Sequence, residues 1–477
     1  VSFQFNGITK NYIRILRGLE RPVWAPIEQE IIEVPGRAGG IITSRKTKVR
    51  TINVPVRVYT KGFANLQEAK EDLAAWLITD EPKPLVFPDE PDRTYFAEVT
   101  GELNLDELVE WGEGVISFVC QDPYKYGPEI EATFPGDVVS LHYNGTAETE
   151  PVFEFEVTQP VTFALIQNHL NEYMMVGQPA EVTSTPFQKY EQIFFSECDS
   201  LLGWTTANPG EIDGTITGTM KTDGLRFTAD SYGTGTGWHG PAIKTSLSEA
   251  LSDFRLVAHV ALFNGNVAKQ VGRVEIYLLD ENGVPVCKLA VKDMFSDRAL
   301  TYAEARAGTL SDGYYMVNEY GDKPGVWNNF EGQVEISREG NKWYAYFAMV
   351  DRTTKKHHTR RSVTWFDTAG KYIRNVAQVL VHVGVYGNHS PIDCGVYLIR
   401  VYKINQQQQL QIPYIANVGD VITFDHQTND ILINGVSRMD LKDFGARFFS
   451  LKKGQNIFNV YPTGSFNVKC YYRERYL

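Results

Sequence analysis

Along most of the chain apolar and polar residues alternate over short runs that close on Gly, Pro, Asn or Asp, as in Thr51–Tyr59 and Gly272–Leu279. A period of two sends one set of side chains to a core and the other to solvent, so these runs predict half-buried strands. One stretch changes period: Leu66, Ala69, Leu73, Trp76 and Leu77 recur at helical spacing. Asn65 can cap its first turn with Glu68 reaching back, and Pro82 lies beyond its end, so the spacing predicts one helix over 65–79. A single helix among many strands leaves no alternating crossovers, which excludes doubly wound and barrel α/β enzymes. The expected fold is mainly β.

Two polar runs without a packing pattern interrupt the strands, around Thr183–Phe187 and Asn405–Leu410. The block between them holds five of the eight tryptophans (Trp204, Trp238, Trp327, Trp343, Trp365) and reads as an inserted domain. A further boundary is expected at Pro123–Pro128, where two prolines and a glycine follow a strand. With 477 residues, 43% of them hydrophobic and 22% charged, the chain can bury several cores. Its apolar stretches are only a few residues long, far below the ~20 of a membrane span. Residues 1–18 carry Lys10, Arg14 and Arg17 and lack the apolar core of a signal peptide, so export by that route is not expected. Five scattered cysteines without Cys-x-x-Cys spacing read as reduced and buried. A net charge of −12 gives no general attraction for phosphate backbones or anionic lipid.

Motifs that suggest catalysis fail on their surroundings. Gly235-Thr-Gly-Trp-His-Gly240 matches a dinucleotide fingerprint, but the Pro241-Ala-Ile-Lys-Thr245 that follows reads as extended instead of opening a helix. Glu211-Ile-Asp213 resembles a glycosidase strand, yet Thr215 stands where a further carboxylate would continue it and Pro209-Gly210 precedes it, so a turn is expected. Lys355–Arg361 gathers two histidines among four cations, poor company for a metal, and reads as a hairpin loop. Asn144-Gly-Thr146 and Asn388-His-Ser390 fit a glycosylation pattern by chance. No nucleophile elbow, P-loop or zinc-protease motif is present.

The flanks carry a resemblance. Val34-Pro-Gly-Arg-Ala-Gly39, a basic hairpin, the helix, Leu85-Val-Phe87, Asp92–Tyr95 and Phe118–Pro123 resemble, in order and spacing, the N-terminal domain of siphophage distal tail proteins. Tyr143–Thr146, Pro151–Phe155, Gly419–Asp425, Ile433–Gly435, Leu451–Asn456 and Tyr471–Tyr476 resemble that family's galectin-like C-terminal domain. The resemblance implies an N-terminal β-barrel-like domain with one helix at 1–127 and a galectin-like β-sandwich split into 128–186 and 410–477. Residues 187–409 would then form an inserted jelly-roll β-sandwich, similar to a carbohydrate-binding module.

It also implies a non-enzymatic virion structural protein, a baseplate hub subunit at the tail tip, made in the host cytoplasm. Its partners would be five further copies in a hexameric ring, the tail tube, the tape measure, adhesion proteins and a host cell-wall saccharide. DNA would pass its channel without specific binding, no membrane would be involved, and the acidic charge suits such a lumen. The alternatives are a cell-wall polysaccharide hydrolase or a free-standing lectin.

Sugar binding by stacking needs exposed rings beside polar groups. Trp238 with His239 and Tyr232 in a glycine-rich stretch, Trp327 in Pro324–Asn329, and Tyr314-Tyr315 are the candidates. Trp343 and Tyr346 fall in an alternating strand and are assigned to core or sheet surface. No cofactor is required. A structural calcium in the insert would use Glu197, Asp199 and Asp393. For the ring, a hairpin over Ile41–Val58 with Arg45, Lys46, Lys48 and Arg50 is expected to meet Asp89, Glu90 and Asp92 of the next copy.

Overall fold

The computed structural model describes all residues except 1, 34, 37, 61, 109–110, 181–184 and 409–410; the side chains of 106–108 are also outside the description. Two motif residues, Val34 and Arg37, and parts of both seams (Thr183, Ser184, Gln409, Leu410) therefore lie outside the described residues. Contacts divide the chain into two compact units. One comprises Val1–Gly177, Ala416–Ile433 and Ser437–Leu477; the other comprises Gln178–Ile415 and Asn434–Val436.

In the first unit Arg50–Tyr59 pairs along its whole length with Trp111–Cys120. Its alternate residues Ile52, Val54, Val56 and Val58 are buried. Against this sheet the helix Leu66–Leu77 lays Leu66, Ala69, Leu73, Trp76 and Leu77. Asn65 accepts the Glu68 backbone N–H at 3.0 Å and the Glu68 carboxylate accepts that of Ala64 at 3.0 Å, so the start signal works as a reciprocal cap. Trp76 stacks on Phe3 at 5.4 Å and donates to the Phe5 carbonyl at 3.1 Å.

Among the described residues the strand path of this sheet does not close, so the barrel-like expectation becomes an open sheet. Nor does the sheet stop at 127: Lys125–Thr133 bonds both Thr94–Thr100 and Phe466–Tyr476. Gly127 and Pro128 sit where its register shifts, and a proline at a bulge gives up no ladder bond, so they mark a bulge and not a linker. In the C-terminal part the sheet of Val138–Tyr143, Gly454–Tyr461, Phe163–Asn168 and Tyr173–Gly177 contributes Phe458 to an aromatic core. Phe153 on the other sheet meets Phe458 at 5.3 Å, with Phe134, Phe449 and buried His426 around it.

The basic hairpin differs from expectation. Gly40–Thr47 pairs back onto Ile27–Glu33, and the resulting two-stranded ribbon is exposed at every position.

The second unit is a two-sheet sandwich. One sheet contains Thr219–Thr222, Phe227–Ser231, Asp393–Ile404, Phe254–Phe263, Phe330–Glu339, Lys342–Val350 and His357–Phe366. Its partner contains Thr205–Thr206, Ala242–Leu251, Val376–Tyr386, Gln270–Leu279, Pro285–Asp293, Thr301–Gly308 and Gly313–Glu319. Leu256, Ile336, Trp343 and Ile399 of the first meet Val274, Ile276, Leu289 and Val381 of the second in one core. Glu339 pairs with Lys342 across the two-residue turn Gly340-Asn341, where Gly340 adopts φ +61°. Thr185–Phe187 runs parallel to Gln411–Pro413, so the two ends of the block lie side by side. That is the geometry a guest domain needs to enter a host loop.

Candidate functional site

The outward face of the second sheet is unusual because its charged residues are buried. Arg273, Glu275 and Tyr277 alternate on one strand, Lys288 and Lys292 on the next, Glu304 and Arg306 on a third. Residues 208–217, from the segment read as a turn, bring Ile212 against Tyr277 and Leu380. Asp213 then holds Arg306 with both carboxylate oxygens, at 2.6 and 2.9 Å, and Lys288 at 2.9 Å. Lys288 also reaches Glu275 at 2.7 Å and Glu304 at 3.0 Å. Burial alone pushes the Asp213 carboxyl up, but Arg306 and Lys288 outweigh it and hold the group below its usual range. The same balance, set by Arg273 with Lys288 and by Lys288 with Lys292, lowers Glu275 and Glu304. His382 shares the network: Arg273 Nη2 lies 3.2 Å from its Nε2, and its Nδ1 donates to the Pro241 carbonyl at 2.9 Å. Burial, then Arg273, pushes its pKa down to about 3, which keeps the ring neutral.

This arrangement is a fixed-charge brace and lacks the asymmetry of an acid–base pair. Glu211, the other carboxylate of the motif, is tied to Lys244 at 2.5 Å and to Asn208, and its pKa is likewise lowered. Glycoside hydrolysis needs one carboxyl raised so that it carries a proton, and neither Glu211 nor Asp213 is.

The sugar candidates separate. Trp327 is a correction: at 1% exposure it is core, and its indole N–H donates to the Thr359 carbonyl at 2.9 Å. Trp238 lies on the short strand Trp238–Gly240, not in a loop. Its ring is half-buried under the Arg273 guanidinium at 4.6 Å and edge-on to Tyr386 at 5.6 Å. His239 is buried with Nδ1 2.9 Å from the Gly237 carbonyl. Tyr232 packs half-buried against the core, and that burial raises its phenol pKa. Tyr314 and Tyr315 stay exposed at 42% and 40%. Tyr314 stacks on Trp365 at 4.0 Å and 15°, and Tyr372 meets the other end of that pair at 5.8 Å. Trp365 was not singled out as a ligand residue, because nothing in the sequence shows that its strand and that of Tyr314 converge. The Lys355–Arg361 segment is only partly a loop, since all of it from His357 onward belongs to a strand.

The calcium set is not assembled. Glu197 and Asp199 line one cleft, while Asp393 binds Arg226 at 2.7 Å. Among the described residues no group of three or more His, Cys, Asp or Glu side chains is placed to hold a metal.

The ring candidates divide too. Arg45 and Lys46 are exposed on the ribbon, and Lys48 pairs with Glu28 at 2.5 Å. Arg50 is a correction: it is 1% exposed, with its guanidinium 5.8 Å over the Tyr95 ring. It stands in phase with Ile52 and Val54, a period-two signal that places it inward. Asp89 is taken by Arg21 at 2.5 Å, and Glu90 by Arg21 and Lys125 at 3.3 and 2.9 Å; Asp92 is exposed.

Residues 8–120 match the profile of the phage tail protein RIFT-related domain, and residues 396–476 that of the siphovirus-type tail component, C-terminal domain. The flanks are thus similar to the two domains of siphophage tail components. The distal tail protein of Bacillus phage SPP1 is 32% identical over 119 residues, which are 25% of this chain and 47% of that relative. The chain thus spans about half the length of the curated relative it matches. The crystal structure of SPP1 Dit covers 37% of this chain and 74% of its own at 23% identity and a TM-score of 0.34. The CBM2 module of the evolved Dit of Lactobacillus casei BL23 phage J-1 covers 46% and 99% at 14% identity and a TM-score of 0.39. Neither relative bears the name of an enzyme.

Proposed function

We propose that this chain is a non-enzymatic hub subunit of a siphophage tail tip, ring-forming through its flanking domains, whose inserted sandwich binds a host cell-wall saccharide. The observation that carries the reading is the interruption: two tail-component domains are separated by a second compact unit whose own core is complete and whose ends lie side by side. A unit inserted with a core of its own supplies a surface, and at a tail tip the surface of use faces the host. The ribbon 27–47 is the natural element for joining copies or neighbouring tail proteins. The net negative charge suits a conduit for DNA. The hydrolase alternative loses ground because both carboxylates of its motif are held ionised.

Electron microscopy of the purified chain should show closed rings, and the chain should sediment with host cell walls without releasing reducing ends. Removing residues 178–415 should keep the rings and abolish wall binding. A monomer that releases reducing ends would overturn the proposal.

A further inference from the structure

A cleft of about 590 Å³ opens on the first sheet of the insert, lined among others by Glu197, Asp199, His259, Gln333, Tyr397 and Arg400. The strands place these groups by register. His259 lies opposite Gln333 on one side and Leu398 on the other. Between His259 and Val260 the register slips by one, so that Tyr397 is the extra residue of a bulge. Bulges re-aim a side chain, and here the Tyr397 ring stands edge-on to His259 at 5.9 Å with the Arg226 guanidinium 5.7 Å from its centre. Arg400 lies over Phe195 at 5.5 Å, and its buried Nε has no hydrogen-bond partner among the described residues. Burial lowers the pKa of His259 against the pull of Glu331, leaving a neutral ring with one donor and one acceptor nitrogen.

The lining therefore interleaves carboxylate acceptors, a guanidinium donor and three groups that both donate and accept: amide, imidazole and phenol. Sugar hydroxyls, each a donor and an acceptor, match that mixture. An anion would face Glu197 and Asp199, a cation would face Arg400, and an aliphatic ligand would strand all of these polar groups.

We infer that this cleft, and not the Tyr314–Trp365 pair, is the saccharide site of the insert, and that it takes a short stretch of neutral glycan. The inference rests on the saccharide-binding reading above. It is tested by probing the full chain on an array of neutral hexose, deoxyhexose and N-acetylhexosamine oligosaccharides and titrating the strongest by calorimetry. Gln333→Ala, and Tyr397→Phe, which removes only a hydroxyl, should each weaken binding at least tenfold at an unchanged melting temperature. Retained affinity in both, or loss on Tyr314→Ala alone, overturns the location and leaves saccharide binding standing. If the wild-type chain binds no glycan on the array, the saccharide reading fails and this site with it.

Discussion

The ribbon of the first unit and the braced sheet of the second invert the usual placement of residue types. In the ribbon Ile27, Ile31, Ile32, Ile41 and Ile42 are all exposed, whereas in the sheet Arg273, Glu275, Lys288, Glu304 and Arg306 are all buried. Exposed apolar groups cost little in an isolated chain but mark a surface for association. Buried charges are tolerated only when each is matched, as Asp213, Glu275 and Glu304 match Lys288, Arg306 and Arg273. The ribbon should therefore matter to assembly and the brace to folding.

The largest effect is expected where the brace is cut. Asp213→Ala leaves Arg306 and Lys288 with one acceptor fewer in a buried setting, a loss of about 3–5 kcal/mol. Chemical denaturation followed by the insert's tryptophans should show it, and a loss below about 1 kcal/mol would mean that the 208–217 segment is an exposed decoration.

Acid should act on the same sheet in two stages. His382 is held down to about 3 when folded, so between that value and about 6.5 the unfolded chain binds a proton that the folded one refuses. Stability is therefore full above pH ~6.5 and falls on acidification by about 1.4 kcal/mol per pH unit for this histidine. His357, on the opposite sheet of the sandwich and pushed down to about 4 mainly by burial, acts in the same direction. Below about pH 4 the depressed carboxyls Asp213, Glu275 and Glu304 add to the loss as the unfolded chain protonates first. A melting temperature that stays flat from pH 7 to 5 would contradict the neutral, buried His382.

What the sequence revealed follows the range of the interactions involved. The helix was legible to its cap because Asn65, Glu68 and the apolar positions lie within a few residues of one another. The brace was not, because Asp213 meets Lys288 and Arg306, 75 and 93 residues further along. Trp327 was misplaced because Pro324 and Gly325 suggested an exposed loop, while the acceptor that lets its indole be buried, Thr359, belongs to a strand 32 residues further along. Tyr397 escaped notice because a bulge leaves no mark on the alternation. Arg50 could have been found, since it keeps the phase of the buried residues after it.

On the ribbon the contrast reverses: folding should be indifferent and assembly sensitive. Ile31 and Ile42 face each other across it, both more than half exposed. Changing both to Ser should move stability by no more than about 0.5 kcal/mol, as for surface substitutions generally. Ring formation, read by sedimentation velocity, should be lost. Intact rings would make the ribbon a contact for another tail protein.

The smallest effect is expected from the ribbon's charges. Lys48 already binds Glu28, and Arg45 sits across from Gln29 on the neighbouring strand. On the other side of the expected joint Asp89 and Glu90 are occupied by Arg21 and Lys125, which leaves Asp92 as the one of the three with no ion pair among the described residues. An ion pair between copies would thus have to break pairs within each copy, and exposed pairs of this kind gain little and are screened by salt. Arg45→Glu with Lys48→Glu should leave the melting temperature unchanged and weaken ring assembly less than tenfold at physiological ionic strength. Loss of the ring as complete as that from the isoleucine pair would show that Asp89 and Glu90 exchange partners on assembly, and that charge rather than apolar surface closes the joint.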